Sequence, residues 1–392
     1  MTMPSRPLKV FISAGEVSGD ILGGRLIAAL KALSPHGVEL QGIGGPEMER
    51  EGLHSLFPLS DLAIMGVIEI LPHIPKLKRR IAQAAEAAIQ FDPDVMVTID
   101  APGFNKRLAR ACGDTTWPKI HYVAPTVWAW RPKRVHAFKA LFDRLLCLLP
   151  FEPPYFQAVD LKADFVGHSI LESGADKGDG AGFRQRFGIA PDASVLCVLP
   201  GSRRGEMERL LPVFKDAVAK TQVKHPGLHV IIPAVPHLAQ AIKAHIAGWP
   251  VTVTVLEDQT QKYDAMAASN AALAASGTVA LELALARVPT VIAYKINGLT
   301  HFLVRRLIKT NYAHLLNILA QREIVPERIQ SDCQPGQLAQ DIDALFGPSG
   351  TQQAALLAPY LDQLKPPGED APSVAAARMV LASPTIKNAA QQ

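Results

Sequence analysis

The sequence predicts an α/β protein made of two successive units, each built on a parallel sheet. Three observations carry this. Apolar runs of strand length recur along the chain, separated by stretches with helical spacing, which is the pattern of repeated strand–helix–strand units. Several runs, such as Val195–Leu199, are apolar throughout rather than alternating, as strands covered on both faces are. The alternation breaks once, at the Gly-, Asp- and Lys-rich stretch 173–182, and then restarts. The chain therefore divides into a first unit at 1–170, a linker at 171–182 and a second unit at 183–345.

In the first unit, strands are expected at 8–13, 95–99, 119–123 and 145–149, with 164–168 closing the set. The 8–13 strand leads through Ala14-Gly15-Glu16-Val17-Ser18-Gly19-Asp20 into a helix reaching about Leu33. Glu16 then lies at the carboxyl end of the first strand, where open α/β sheets bind ligands. Asp100 follows the 95–99 strand in the same way, before Ala101-Pro102-Gly103-Phe104-Asn105 turns into a helix. Asp92-Pro93-Asp94 spells D-x-D but precedes its strand, on the edge away from any ligand, and reads as a turn. Val127-Trp128-Ala129-Trp130-Arg131 suggests a binding wall.

The second unit holds two loops with one chemistry. After Val195–Leu199, the residues Gly201, Ser202, Arg203, Arg204 and Gly205 lead into a helix. Unpaired N–H groups and the helix dipole favour an anion there, and Arg203 can add a bidentate contact. The second loop is Ser276, Gly277 and Thr278, after a strand at Ala271–Ala275, with Glu282 one turn into the helix. The N–H groups can take a diphosphate while Glu282 takes ribose hydroxyls. Further strands are expected at 229–232, 251–255 and 290–293. Neither glycine loop of the first unit matches G-x-G-x-x-G, and no P-loop is present, so a dinucleotide fold is not indicated.

The bulk properties narrow the function. With 392 residues, 48% hydrophobic and 19% charged, sizeable cores can form. A formal charge of +4 suits an acidic ligand or an anionic surface, not a nucleic-acid binder. Cys112, Cys147, Cys197 and Cys333 lack zinc or redox spacing, which points to a reducing compartment. Neither a signal peptide nor a membrane span is expected. One segment suggests a membrane surface: Val67, Ile68, Leu71, Ile74 and Leu77 beside Lys76, Lys78, Arg79 and Arg80, interrupted by Pro72 and Pro75.

Taken together, Ala14-Gly15-Glu16-Val17-Ser18-Gly19-Asp20, Met65-Gly66-Val67, Val127-Trp128-Ala129-Trp130-Arg131, Leu199-Pro200-Gly201-Ser202-Arg203, Ala275-Ser276-Gly277-Thr278 and Arg322-Glu323-Ile324-Val325-Pro326 resemble the lipid A disaccharide synthase family over about residues 10–330. Leu316 departs from it, since the family usually has proline there. The resemblance implies the GT-B fold: two Rossmann-like parallel-sheet domains facing across a cleft. The first domain faces acceptor and membrane, and the second binds the nucleotide sugar. Helices from about 350 to 385 return to the first domain. It implies a metal-independent, cofactor-free inverting transfer from UDP-2,3-diacylglucosamine to 2,3-diacylglucosamine 1-phosphate, forming a β-1,6 linkage and releasing UDP. Asp100 or Glu16 is the expected base, and Asn317 and Glu323 join the donor site. The implied setting is cytoplasmic, on the inner face of a Gram-negative inner membrane with its anionic lipids as partner. A domain-swapped homodimer also occurs in the family. A nucleotide-sugar 2-epimerase or another enzyme of that fold, and a non-catalytic nucleotide-sugar or lipid-binding module, remain the alternatives.

Overall fold

In a computed structural model of the chain, residues 6–62, 73–295 and 310–383 are described. They fall into two compact units, Met1–Ser169 with Leu364–Gln392, and Ile170–Gln363.

The first unit is built on a parallel sheet of β1 (Leu8–Ala14), β2 (Val38–Ile43), β3 (Val95–Ile99), β4 (Lys119–Tyr122), β5 (Arg144–Cys147) and β6 (Lys162–Phe165), in the order β2-β1-β3-β4-β5-β6. Around it lie α1 (Val17–Leu33), α2 (Pro46–Arg50), α3 (Ile74–Phe91), α4 (Pro102–Ala111), α5 (Arg134–Lys139) and α6 (Pro153–Gln157). The unbroken apolar runs follow from burial on both faces. Val10, Ile12, Val95 and Val97 join a core with Leu26 and Leu30 of α1. Phe11 and Met96, one residue out of phase, join the opposite core with Ala84, Ala88 and Leu108. The order reverses between β1 and β3, which makes their carboxyl ends the switch point.

The second unit has β7 (Val195–Leu199), β8 (His229–Pro233), β9 (Thr252–Leu256), β10 (Ala271–Ala275), β11 (Thr290–Tyr294) and β12 (Glu327–Ile329), parallel, in the order β12-β11-β10-β7-β8-β9. Its helices include α7 (Gly180–Arg186), α8 (Arg204–Lys224), α9 (Ala239–Ile246), α10 (Lys262–Ala267), α11 (Thr278–Leu285), α12 (Leu315–Ala320), α13 (Pro335–Phe346) and α14 (Pro348–Asp362). This is the doubly wound Rossmann order, with its switch point between β7 and β10.

Two boundaries differ from expectation. Residues 171–182, expected as a linker, are packed onto the second unit. A Cβ on Gly178 would meet the Tyr263 carbonyl oxygen at 2.2 Å, and one on Gly180 the Ala267 carbonyl oxygen at 2.4 Å. The Asp179 amide donates to Asp264 (2.8 Å), and the Asp179 side chain caps α7 by accepting from the Gly182 amide (2.9 Å). The glycines here permit close approach rather than flexibility. At the other end, α14 stays with the second unit. Its buried Gln353 accepts from the Thr290 amide (2.7 Å) and donates to the Thr290 carbonyl (3.1 Å). Only α15 (Pro372–Leu381) joins the first unit, where Ala376, Ala377 and Val380 complete the α1 core. Arg144 fastens it by donating to the Met379 carbonyl (3.1 Å).

Candidate active site

The switch point of the first unit brings the two sequence-predicted carboxylates to one edge. Ala14 pairs with Ile99 in the β1–β3 register, so the turns carrying Glu16 and Asp100 leave the sheet side by side. They touch: a Cβ on Gly15 would lie 2.4 Å from the Ala101 Cβ. Only glycine therefore fits before Glu16. Glu16 is the extended residue that opens α1, and it is half-buried.

Asp100 and Ala101 have φ of 48° and 40°, and Val123, past the end of neighbouring β4, has 76°. Left-handed conformations are costly for non-glycine residues, most of all β-branched ones, and such strain collects at functional sites. Asn105 holds the turn. Buried, it donates to the carbonyls of Ile99 (3.0 Å) and Asp100 (2.8 Å), and its oxygen accepts from the Ser13 hydroxyl (2.9 Å). Burial raises the Asp100 carboxyl above the usual aspartate range, against a backbone hydrogen bond from Ala101. A carboxylate with raised proton affinity is a better base near neutral pH.

Asp20, last residue of the first motif, has a scaffold role. Its buried carboxylate accepts from the amides of Gly45 (2.8 Å), Glu47 (3.0 Å) and Met48 (3.1 Å), capping α2. In the D-x-D turn, Asp94 takes a two-pronged contact from Arg6 (2.8 and 2.7 Å) and the Lys9 amide (2.9 Å) at the amino edge of the sheet.

The two tryptophans divide in role. Trp128 packs edge-on against Phe151 and donates to Glu152 (3.1 Å), whose other oxygen accepts from the Leu149 amide (3.1 Å). Burial pushes the Glu152 carboxyl up to about 7, although these hydrogen bonds pull it down. An acid with a higher pKa folded than unfolded holds its proton more tightly in the native state. Stability is therefore highest below the unfolded glutamate pKa and falls as pH rises towards 7. Gln cannot titrate, so the melting temperature of Glu152→Gln relative to wild type is expected to improve from about pH 4 to about pH 8, worth on the order of 1–3 kcal/mol. A difference that does not vary with pH overturns this. Trp130 instead lies under two guanidiniums, with the Cζ atoms of Arg131 and Arg134 at 4.6 and 5.5 Å from its ring.

In the second unit both glycine loops leave adjacent strands, since Ala274 pairs with Leu199 in the β7–β10 register. Gly201 has φ of 103°, and a Cβ there would strike the Glu206 Oε2 at 2.7 Å. Ser202 and Arg203 are exposed, and Arg203 is the extended residue that opens α8. Its guanidinium donates to the buried Glu206 (3.0 Å), which also receives the Tyr294 hydroxyl (3.4 Å). Sequence reasoning missed Glu206 and Tyr294, because nothing local shows that β11 delivers a phenol to this loop. On the second loop, Gly277 opens α11 with φ of 152°, beside Ser276 and Thr278. Glu282 is buried and accepts from Lys262 (2.5 Å) and the Tyr263 hydroxyl (3.0 Å). Each carboxylate oxygen keeps a second lone pair for a ligand hydroxyl.

Asn317, expected to line the donor site, does a different job. Its amide donates to the Val325 carbonyl and to Glu327 (both 2.8 Å), and its oxygen accepts from the amides of Ile324 (2.8 Å) and Val325 (3.0 Å). With every donor and both acceptor positions occupied, it is a clamp on the loop carrying Glu323. Glu323 is exposed and accepts from the Glu327 amide (2.8 Å) and Arg328 (3.2 Å). Leu316, where proline was expected, uses its amide to donate to His314 Nδ1 (3.2 Å), a bond that proline cannot make.

Of the membrane segment, Val67, Ile68 and Leu71 lie outside the described residues, as does Pro72. Pro75 does not interrupt a helix; it sits in the first turn of α3, where its missing N–H costs nothing. The basic cluster divides. Lys76 (2.6 Å) and Arg80 (2.6 and 2.9 Å) both bind Asp61, while Lys78 and Arg79 are exposed. Hydrogen bonds first from Lys76, then from Arg80, lower the Asp61 carboxyl. Ile74 is exposed and Leu77 half-buried. Among the described residues no helix is long and apolar enough to cross a membrane.

Two parallel six-stranded sheets, the second with glycine turns after both strands of its β7–β10 switch point, make up a GT-B fold. Solved structures agree on the fold. The chain matches MurG of Acinetobacter baumannii with TM-score 0.58 at 16% identity, covering 96% of this chain and 100% of that one. It matches a UDP-GlcNAc 2-epimerase from Neisseria meningitidis, bound to UDP-GlcNAc, with TM-score 0.60 at 12% identity, covering 96% and 98%. The family model described as Lipid-A-disaccharide synthetase matches residues 10–355, and the chain belongs to that family. It is 50% identical over 385 residues to the Lipid-A-disaccharide synthase of Rhodospirillum centenum, covering 96% of this chain and 94% of the relative. With that of Gluconobacter oxydans it shares 42% over 393 residues, covering 100% and 94%.

Proposed function

We propose that this enzyme transfers 2,3-diacylglucosamine from UDP to the 6-hydroxyl of 2,3-diacylglucosamine 1-phosphate, giving the β-1,6-linked disaccharide 1-phosphate and UDP. Asp100 carries the reading. It is a half-buried carboxyl with raised proton affinity, held in a strained turn by a buried asparagine. A nucleotide-sugar or lipid-binding module has no use for such a base. Asp100 takes the proton from the acceptor hydroxyl as the oxygen bonds to the anomeric carbon. The bond from that carbon to the diphosphate oxygen breaks on the opposite face, and UDP leaves with the electron pair. Glu16, in the adjoining turn, is the second candidate for the proton. Arg203, Ser202 and the amides after Gly201 and Gly277 stabilise charge on the departing diphosphate. Glu282 takes ribose hydroxyls, and Asn317 acts by holding the Glu323 loop.

Release of UDP, measured with both diacyl substrates and with each alone, tests the assignment. Release only with both supports transfer. Inversion at the second carbon of the donor sugar without acceptor supports an epimerase, and neither release of UDP nor inversion supports a binding module.

We infer further that the amino-terminal turns of α3 rest on the anionic inner face of the membrane. Acyl-chain substrates supply the reason, and the exposed Ile74, Lys78 and Arg79 supply the chemistry. Ile74→Ser with Leu77→Ser is expected to lower binding to anionic vesicles several-fold, each apolar contact being worth up to about 1.5–3 kcal/mol at full burial. UDP affinity should not move. A fall in melting temperature with vesicle binding intact makes these residues core and removes the patch. Sedimentation of the full chain tests the homodimer.

A further inference from the structure

The first unit carries a group of cations that the mechanism above leaves unused. Lys106 follows Asn105, which holds the Asp100 turn, and its Nζ lies 5.5 Å from the centroid of the Phe138 ring. Arg131 and Arg134 lie over one indole, that of Trp130. Arg131 stands at φ of 51° although proline follows it, a conformation doubly disfavoured. Strain of this kind persists only where surrounding structure enforces it.

Among the described residues nothing neutralises the group. Burial and then repulsion from Arg134, Arg110 and Arg107 lower the Lys106 pKa, and burial and then Arg131 lower that of Arg134. No carboxylate figures among those influences. Among the described residues none forms an ion pair with Lys106, Arg131 or Arg134. Elsewhere on this unit comparable cations do find partners, as Lys76 and Arg80 find Asp61 and Arg6 finds Asp94. Unpaired, partly desolvated cations repel one another at a cost that a dianion removes. Two guanidinium forks and an ammonium fit the several oxygens of a phosphomonoester.

We propose that Lys106, Arg131 and Arg134, against Trp130, bind the 1-phosphate of the acceptor sugar. This rests on the transfer reaction proposed above. The acceptor carries its phosphate across the ring from the attacking 6-hydroxyl, and Lys106 stands on α4 next to Asn105, which holds the Asp100 turn at the start of that helix. The site therefore orients the acceptor and selects a phosphorylated sugar over a free one.

The test uses steady-state UDP release in neutral detergent micelles, with the full chain. Arg131→Ala, Arg134→Gln and Lys106→Gln are each expected to raise the KM for 2,3-diacylglucosamine 1-phosphate about 10-fold or more, the worth of one charge-assisted contact. Donor KM should stay within about 2-fold. Wild type should use 2,3-diacylglucosamine without its phosphate poorly, and the variants should use it as well as wild type does. Arg131 is exposed, so Arg131→Ala tests the site even if a variant of the more buried pair fails to fold. Unchanged acceptor KM in Arg131→Ala and Arg134→Gln overturns the proposal. So does loss of anionic-vesicle binding with acceptor KM intact, which assigns the cations to lipid headgroups. If wild type itself releases no UDP, the transfer reading fails rather than this site.

Discussion

Asp100→Asn is expected to lower kcat by roughly 10²–10⁴-fold, the usual contribution of a positioned general base. The substitution is close to isosteric, and asparagine tolerates the left-handed backbone that Asp100 adopts at φ of 48°. Its backbone carbonyl still receives Asn105. Melting temperature and UDP affinity should therefore stay near wild type, since the loops proposed to hold the nucleotide belong to the other unit. The pH profile supplies a second readout. A base works deprotonated, so activity is lost as pH falls through its pKa. Burial raises that pKa, which places the acid limb of kcat/KM above the ordinary aspartate range. Asp100→Asn should abolish that limb along with the rate. If Glu16→Gln removes the limb and Asp100→Asn does not, the base is Glu16.

Arg203→Ala is expected to weaken UDP binding and transfer by about 10- to 150-fold, the equivalent of losing a charge-assisted contact of about 1.5–3 kcal/mol. In the structure Arg203 is paired with Glu206 at 3.0 Å, but its side chain is 63% exposed. Such a pair is weak, and the remaining fork is free to engage a diphosphate. The substitution has a second effect. It leaves the buried Glu206 carboxylate beside the loop without its cation, adding repulsion where the diphosphate binds. Arg203→Ala with Glu206→Gln should therefore bind UDP better than Arg203→Ala alone. Equal affinities for wild type and Arg203→Ala remove Arg203 from the site.

The architecture was legible because it rests on local pattern. β3, β7 and β10 are apolar at nearly every position because both faces are covered, and the strand-then-turn signals placed Asp100, Gly201 and Gly277 at strand ends. The edge strands β2 and β12 were not anticipated. An edge strand has one neighbour and partial cover, so its residues need not be apolar; only Gly42 and Ile43 of Val38–Ile43 are buried, and Glu327–Ile329 has only three residues. The packing of 171–182 was misjudged because glycine codes equally for freedom and for close approach, and only the contact with α10 separates the two.

Sequence by itself determined which residues carry charge at which strand ends, and so the kind of ligand the second unit suits. Tertiary structure decided which of those charges are committed. Asp20 is consumed in capping α2, Asn317 in clamping a loop, and Lys76 and Arg80 in binding Asp61. Lys106, Arg131 and Arg134 look alike in sequence, yet no ion pair to them occurs among the described residues. The reason is physical. A side chain's chemistry is fixed by its residue type, but its availability depends on partners brought by distant segments, as Asp61 is to Arg80 and Tyr294 to Glu206. No local spacing encodes those meetings.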